Sequence, residues 1–331
     1  MDIEELVALS VKHNAGDLHL CSGHSPFWRL AGRLEAMPGE LPKSDELLQQ
    51  IRQSWLDEDQ QHAFSQAGQL DFAVTLGDGT RLRANLFRQR QGISLALRFI
   101  ASRCPELAEL GLPPVAAELL RLEDGLVLVT GATGSGKSTT LAALIGAINQ
   151  QQHRHILTLE DPVEFIHHSD RSLIQQREIG QHCSSFSAGL KAALREDPDV
   201  ILLGELRDGE TIQLALTAAE TGHLVLATLH TRGAAQAVDR LVDVFPGAEK
   251  NLIRSQLAGS LKAVIAQKLV PGVAKGRVAL FEVLVNTPAA ASLIREGKTH
   301  QLPGILQTGM QLGMQTFAQS LDGRKKAGMI A

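Results

Sequence analysis

The sequence predicts an α/β protein in two parts, an α+β N-terminal half followed by a parallel α/β core that carries a phosphate-binding loop and ends in helices. Three observations lead there. Residues 131–138 read Gly131-Ala132-Thr133-Gly134-Ser135-Gly136-Lys137-Ser138, a complete G-x-x-x-x-G-K-[ST] phosphate loop. Four apolar runs that suit strands buried on both faces, at 126–130, 156–159, 200–203 and 224–229, are separated mostly by helical segments. The first hundred residues instead alternate apolar and polar residues in several short runs, as half-buried strands do.

Taken in order, residues 3–13 and 45–64 carry apolar residues every three or four positions and predict helices packed on a small sheet. Strands are predicted at 27–30, 71–76, 81–87 and 93–100. Gly77-Asp78-Gly79-Thr80 joins two of them as a hairpin, and Gln91-Gly92 marks a second turn. Arg81 and Arg83 share one face of their strand by its two-residue period, and Arg98 occupies the polar face of the last. Such arginines serve either as solubilising charge or, like arginine fingers, as contacts to a nucleotide. Pro105, Gly111, Pro113 and Pro114 place a linker at 104–114, between an N-terminal domain at 1–103 and a core at 115–331. The tail from about residue 250 reads mainly as helices.

Composition sets bounds. A chain of 331 residues with 44% hydrophobic and 21% charged residues suits a globular protein of two domains. A net charge of -4 gives no general pull toward nucleic acid, so none is expected as partner. No apolar stretch approaches the roughly twenty residues that span a bilayer, and the start Asp2-Ile3-Glu4-Glu5 is acidic, so the expected location is cytoplasmic. Cys21, Cys104 and Cys183 lie far apart without a C-x-x-C pair, which indicates neither a disulfide framework nor a Cys-rich zinc site.

The chemistry follows from the loop. Its glycines turn backbone N–H groups inward at the positive end of a helix dipole, a site for a phosphate chain. Residues 131–138 and Thr139 are the predicted nucleotide contacts, with Lys137 on the β- and γ-phosphates and Ser138 on Mg²⁺; the ligands are ATP and Mg²⁺. Carboxylates follow two core strands: Glu160, Asp161 and Glu164 after the second, and Glu205, with Arg207 and Asp208, after the third. Glu205 either holds Mg²⁺ through water or orients the attacking water, and residue patterns alone do not separate it from Glu164. His230 ends the fourth strand, where it senses a γ-phosphate or bonds a carboxylate, and His223 precedes that strand at its far end.

With these residues assembled, the chain resembles the type II/type IV secretion ATPases, hexameric ring motors, and most of all those that retract pili. The resemblance rests on Asp17-Leu18-His19-Leu20, the phosphate loop, residues 160–165, residues 204–208, Gly222-His223, His230-Thr231 and Gly313-Met314-Gln315-Thr316. It implies a PAS-like N-terminal domain and a RecA-like core. It also implies that Glu164 polarises the attacking water, that Glu205 supports Mg²⁺, and that His223 and His230 form a His box. Arg81, Arg83, Arg98, Arg207 and His223 become nucleotide or inter-subunit contacts. The implied assembly is a homohexamer working on a pilus or secretion platform at the inner membrane, with retraction as the expected activity. A secretion or assembly ATPase, or a nucleotide-binding regulator with little turnover, is the alternative. Two segments depart from the pattern: Ala289-Ala290-Ala291-Ser292 stands before Leu293-Ile294-Arg295, and Arg232-Gly233 follows His230-Thr231. A C-terminal tail found in some relatives is expected to be short or missing after Ala331.

Overall fold

The computed structural model describes residues 2–30, 33–39, 41–100, 104–274 and 276–331. The chain divides into Met1–Arg103 and Cys104–Ala331.

In the first unit, Asp2 and Glu5 cap each other's backbone and start α1 (Ile3–Lys12), which buries Ile3, Leu6 and Val7. Strands β1 (Asp17–Cys21), β2 (Phe27–Leu30) and β3 (Arg33–Ala36) follow. The single helix expected over 45–64 is two, α2 (Ser44–Ser54) and α3 (Glu58–Ala67), because Asp57 and Gln60 form a fresh capping box between them. Strands β4 (Gln69–Thr75), β5 (Arg81–Gln89) and β6 (Gly92–Ile100) complete an antiparallel sheet of order β3-β2-β1-β6-β5-β4. Its buried face carries Leu18, Leu20, Leu82, Leu86, Leu95 and Leu97 against Leu6, Leu47, Ile51 and Phe64 of the helices. Leu82, Ala84 and Leu86 of β5 are buried, so Arg83 is pushed to the open face, where its register partner is Arg98.

In the second unit, residues 104–114 belong to the fold rather than standing apart as a linker: Leu107–Leu110 form a 3-10 turn, and Arg324 donates to the Gly111 carbonyl at 2.6 Å. The path then runs through α4 (Val115–Leu119), β7 (Gly125–Thr130), α5 (Lys137–Gln151), β8 (His155–Glu160), β9 (Leu173–Glu178), α6 (Phe186–Ala193) and β10 (Val200–Leu203). It continues through α7 (Gly209–Glu220), β11 (Leu224–Leu229), α8 (Ala234–Asp243), α9 (Lys250–Ser260), β12 (Leu261–Pro271) and β13 (Arg277–Val285), then α10 (Pro288–Arg295), α11 (Leu302–Thr308) and α12 (Phe317–Lys326). The sheet order is β13-β12-β7-β11-β10-β8-β9, parallel except for β13.

Alternation along the strands feeds two cores. Leu126, Leu128, Ile201, Leu203, Val225 and Ala227 pack with α7, α8 and α9, while Val127, Val129, Val200, Leu202 and Leu226 pack under α4 and α5. A sheet covered on both faces needs apolar residues at every position, which is why its strands read as unbroken hydrophobic runs. The tail is mainly helical as expected, but it also contains two strands, β12 and β13, that widen the sheet beside β7. Helix α9 passes into β12 at Leu261 with no loop between them: Gly259 and Ser260 are the last residues of the helix, and Leu261 is the first of the strand.

Truncating Ile201, fully buried in the interior strand β10, should destabilise the protein by about 2–5 kcal/mol in Ile201→Ala, read as a lowered urea midpoint with unchanged slope.

Candidate functional site

The phosphate loop leaves β7 at Thr130 and enters α5 at Lys137. Gly131, Gly134 and Gly136 have φ of +155°, +77° and +92°, and a Cβ on Gly131 would lie 2.4 Å from the Gln267 carbonyl. Side chains are thus excluded where the backbone must curl. Lys137 is buried, and its Nζ donates to the carbonyls of Gly131 at 2.9 Å and Ala132 at 3.1 Å. Burial lowers the pKa of this ammonium, and the carboxylates of Glu205 and Glu164 only partly restore it. Ser138 and Thr139 are half-buried in the first turn of α5, and Ala132, Thr133 and Gly134 are exposed. The Ser135 hydroxyl is buried without a hydrogen-bond partner.

The third polar neighbour of Lys137 is His230, whose Nδ1 lies 3.4 Å from Nζ while its Nε2 lies 3.1 Å from Glu205 Oε1. One neutral tautomer satisfies both, with Nδ1 accepting from lysine and Nε2–H donating to the carboxylate. Position at the end of β11 allows this, because Thr130 and Thr231 lock their hydroxyls at 2.7 Å and the Thr231 N–H donates to Thr130 Oγ1 at 2.9 Å. Glu205 follows β10 and also meets Arg207 Nη2 at 2.6 Å. Burial alone would raise the Glu205 pKa, yet Arg207 and His230 together hold it below the ordinary carboxylate range.

A cavity of about 80 Å³ is lined by Ser138, Glu160, Asp161, Glu164 and Glu205 among others. Glu160 ends β8; its Oε1 accepts from the Thr158 hydroxyl at 2.6 Å and Gln176 Nε2 at 3.2 Å, and its carboxylate also accepts the Glu164 N–H. Burial nevertheless leaves the Glu160 pKa raised. Both neighbours of Glu164 are tied to β9: the Val163 N–H donates to Glu178 Oε2 at 3.0 Å, and the Phe165 carbonyl accepts from Gln176 Nε2 at 2.8 Å. Gln176 and Glu178 escaped the sequence reading, as did Gln267, whose Oε1 accepts from the Thr140 hydroxyl at 2.6 Å.

The structure therefore brings Lys137, Ser138, Glu164, Glu205, Arg207 and His230 to the carboxyl ends of adjacent parallel strands, where open α/β sheets bind ligands. It does not bring His223, which stands at the opposite end of β11 with Nδ1 3.1 Å from the Ala218 carbonyl. In the first unit, Arg98 donates to Asp17 Oδ1 at 2.9 Å and Arg29 lies 3.4 Å from Asp17, so the arginine face is partly neutralised. Arg81 opposes Ile100 across the sheet, outside the Arg83–Arg98 pair. The phosphates of a nucleotide fit the loop on two counts: Gly131, Gly134 and Gly136 hold the positive φ values that curl its backbone, and the orphaned Ser135 hydroxyl needs a partner.

Residues 47–326 match the type II/IV secretion system protein family. The chain belongs to this family. Its parallel core and phosphate loop are those of the family's ATPases. It is 46% identical over 334 residues to the type IV pilus retraction ATPase PilT of Pseudomonas aeruginosa, covering 100% of this chain and 96% of that one. It is also 64% identical over 330 residues to the Escherichia coli protein described as uncharacterized protein YggR, covering both chains completely. The crystal structure of the pilus retraction motor PilT with bound ADP is similar with a TM-score of 0.91 at 40% identity, covering 100% of this chain and 95% of that one.

Because Glu205 has a depressed pKa in the folded state, it contributes stability above the ordinary carboxylate range, which is lost as pH falls through its folded value. Melting temperature measured against pH should fall less steeply on the acid side in Glu205→Gln than in the wild type.

Proposed function

We propose that this family member is a homohexameric motor that hydrolyses Mg-ATP to do work on a type IV pilus or pseudopilus, in the direction of retraction. The observation that carries the reading is the convergence of Lys137, Glu205 and His230 on one phosphate loop, with Ser138 and Glu164 facing the same cavity as Glu205. The similarity to a pilus retraction ATPase over the whole chain supports the choice of pilus work.

In this reading the loop N–H groups receive the phosphates and Lys137 turns from the loop carbonyls toward the β- and γ-oxygens. Ser138 Oγ and a water held by Glu205 are the groups that fit Mg²⁺, which when bound neutralises charge between those phosphates. Glu164, held in place from both sides by β9, orients the attacking water. His230 couples the two ends, since any shift of Lys137 alters the hydrogen bond it passes to Glu205. Arg81, Arg83 and Arg98 are assigned to the phosphates of a neighbouring subunit's nucleotide, and Arg207 and His223 to inter-subunit contacts. The motor acts from the cytoplasmic side through a platform protein of the inner membrane. No helix among the described residues is long and apolar enough to cross a membrane. The departing segment 289–292 lies in α10, a regular helix capped by Thr287 that buries Ala290 and Ile294, so the change does not unfold it.

Phosphate release by the purified protein with Mg-ATP should drop at least about 100-fold in Glu164→Gln, while the oligomeric mass stays that of a hexamer. Unchanged turnover in that variant would refute the assignment of Glu164. Deleting the gene from a piliated host should raise the number of surface pili, and a fall would exclude retraction.

A further inference from the structure

Strand β12 approaches the phosphate loop more closely than any sequence pattern announces. It pairs in parallel with β7 as far as Ala266 opposite Thr130, so the next residue of each strand, Gln267 and Gly131, meet where the loop begins. The Gln267 carbonyl sits 2.4 Å from the place a Gly131 Cβ would take, which leaves room for glycine alone. By the two-residue period of the strand, its side chain shares a face with the buried Ala263 and Ile265, both in the core beneath α5. There its Oε1 accepts the Thr140 hydroxyl at 2.6 Å, and its Nε2 sits 2.8 Å from where a Cβ on Gly136 would be.

One buried residue thus occupies the space that side chains at Gly131 and Gly136 would need, and it is bonded to the first turn of the helix behind the loop. Burying a carboxamide and a hydroxyl in an apolar core is unfavourable unless each finds a partner, so the pair holds one geometry. Thr140 fixes Oε1, and fixing Oε1 holds the amide group in the space beside Gly136 that a side chain there would need. Leucine or valine at these positions would fill the same core without holding the loop.

We propose that Gln267 is a positioning residue for the nucleotide, acting through Thr140 and Gly136 to hold the phosphate loop in its receiving shape. This rests on the nucleotide-binding reading of the loop. Loop N–H groups stabilise phosphate only if their directions are set before binding, and misplacing them weakens every bond together.

The test is the dissociation constant of Mg-ADP for the full chain, by titration calorimetry, with melting temperature recorded in the same samples. Gln267→Leu and Thr140→Val should each weaken binding about tenfold or more, and the double variant should be no weaker than the weaker single one, because each change breaks the same coupling. Thr140→Ser, which keeps the hydroxyl, should bind within twofold of the wild type. Binding by Gln267→Leu and Thr140→Val within twofold of the wild type, whatever their melting temperatures, overturns the proposal. If Gln267→Leu does not fold, the contrast between Thr140→Val and Thr140→Ser decides. A wild type that binds no Mg-ADP, like a Lys137→Ala control, would instead sink the nucleotide reading itself.

Discussion

Lys137 carries three N–H donors into a place where water is scarce, and a buried ammonium persists only where each donor finds an acceptor. The Gly131 carbonyl, the Ala132 carbonyl and His230 Nδ1 supply them. The first two acceptors force the loop to fold back over its own lysine, which requires the positive φ values at Gly131 and Gly136. The third sets the tautomer of His230 and so its bond to Glu205, and through Glu205 the place of Arg207. Charge burial at one side chain thereby organises five residues drawn from three strand ends.

The sheet makes that economy possible. Parallel strands β7, β10 and β11 lie side by side, so all their carboxyl ends open at one edge, and the loops that follow them are neighbours whatever their separation in sequence. Hydrogen bonds between strand ends hold those loops in step: the Leu206 N–H reaches the Thr228 carbonyl at 3.0 Å, and the Thr228 hydroxyl reaches the Gly204 carbonyl. Apolar packing on both faces keeps the strands rigid, so the polar network at their ends is built on fixed supports.

Much of this was legible in the residues and some was not, for reasons that differ by element. Gly131 to Ser138 could be read directly because the chemistry is local: consecutive residues build the loop, and no distant partner is needed to name it. His230 and Glu205 were readable as candidates because each follows an unbroken apolar run, although their mutual bond was one of two alternatives. Strand β12 was hidden because no turn separates it from α9: Gly259 and Ser260 close the helix and Leu261 opens the strand. Strand β9 was hidden by Gln175, Gln176, Arg177 and Glu178, which leave little apolar pattern; of these, Gln176 and Glu178 serve the loop at Glu164. Gln267 was invisible for a deeper reason. Its partner Thr140 is 127 residues away, and a glutamine in a strand says nothing of what it holds until the sheet order is known.

In the proposed mechanism Lys137 is stored on the loop carbonyls and handed to phosphate when nucleotide binds. A crystal structure of the protein with Mg-ADP tests it most directly. Lys137 Nζ should then lie within hydrogen-bonding distance of a β-phosphate oxygen, with its bonds to the Gly131 and Ala132 carbonyls broken and the loop backbone otherwise unchanged. A lysine still bonded to those carbonyls beneath a bound nucleotide, or a nucleotide bound away from residues 131–138, would contradict it.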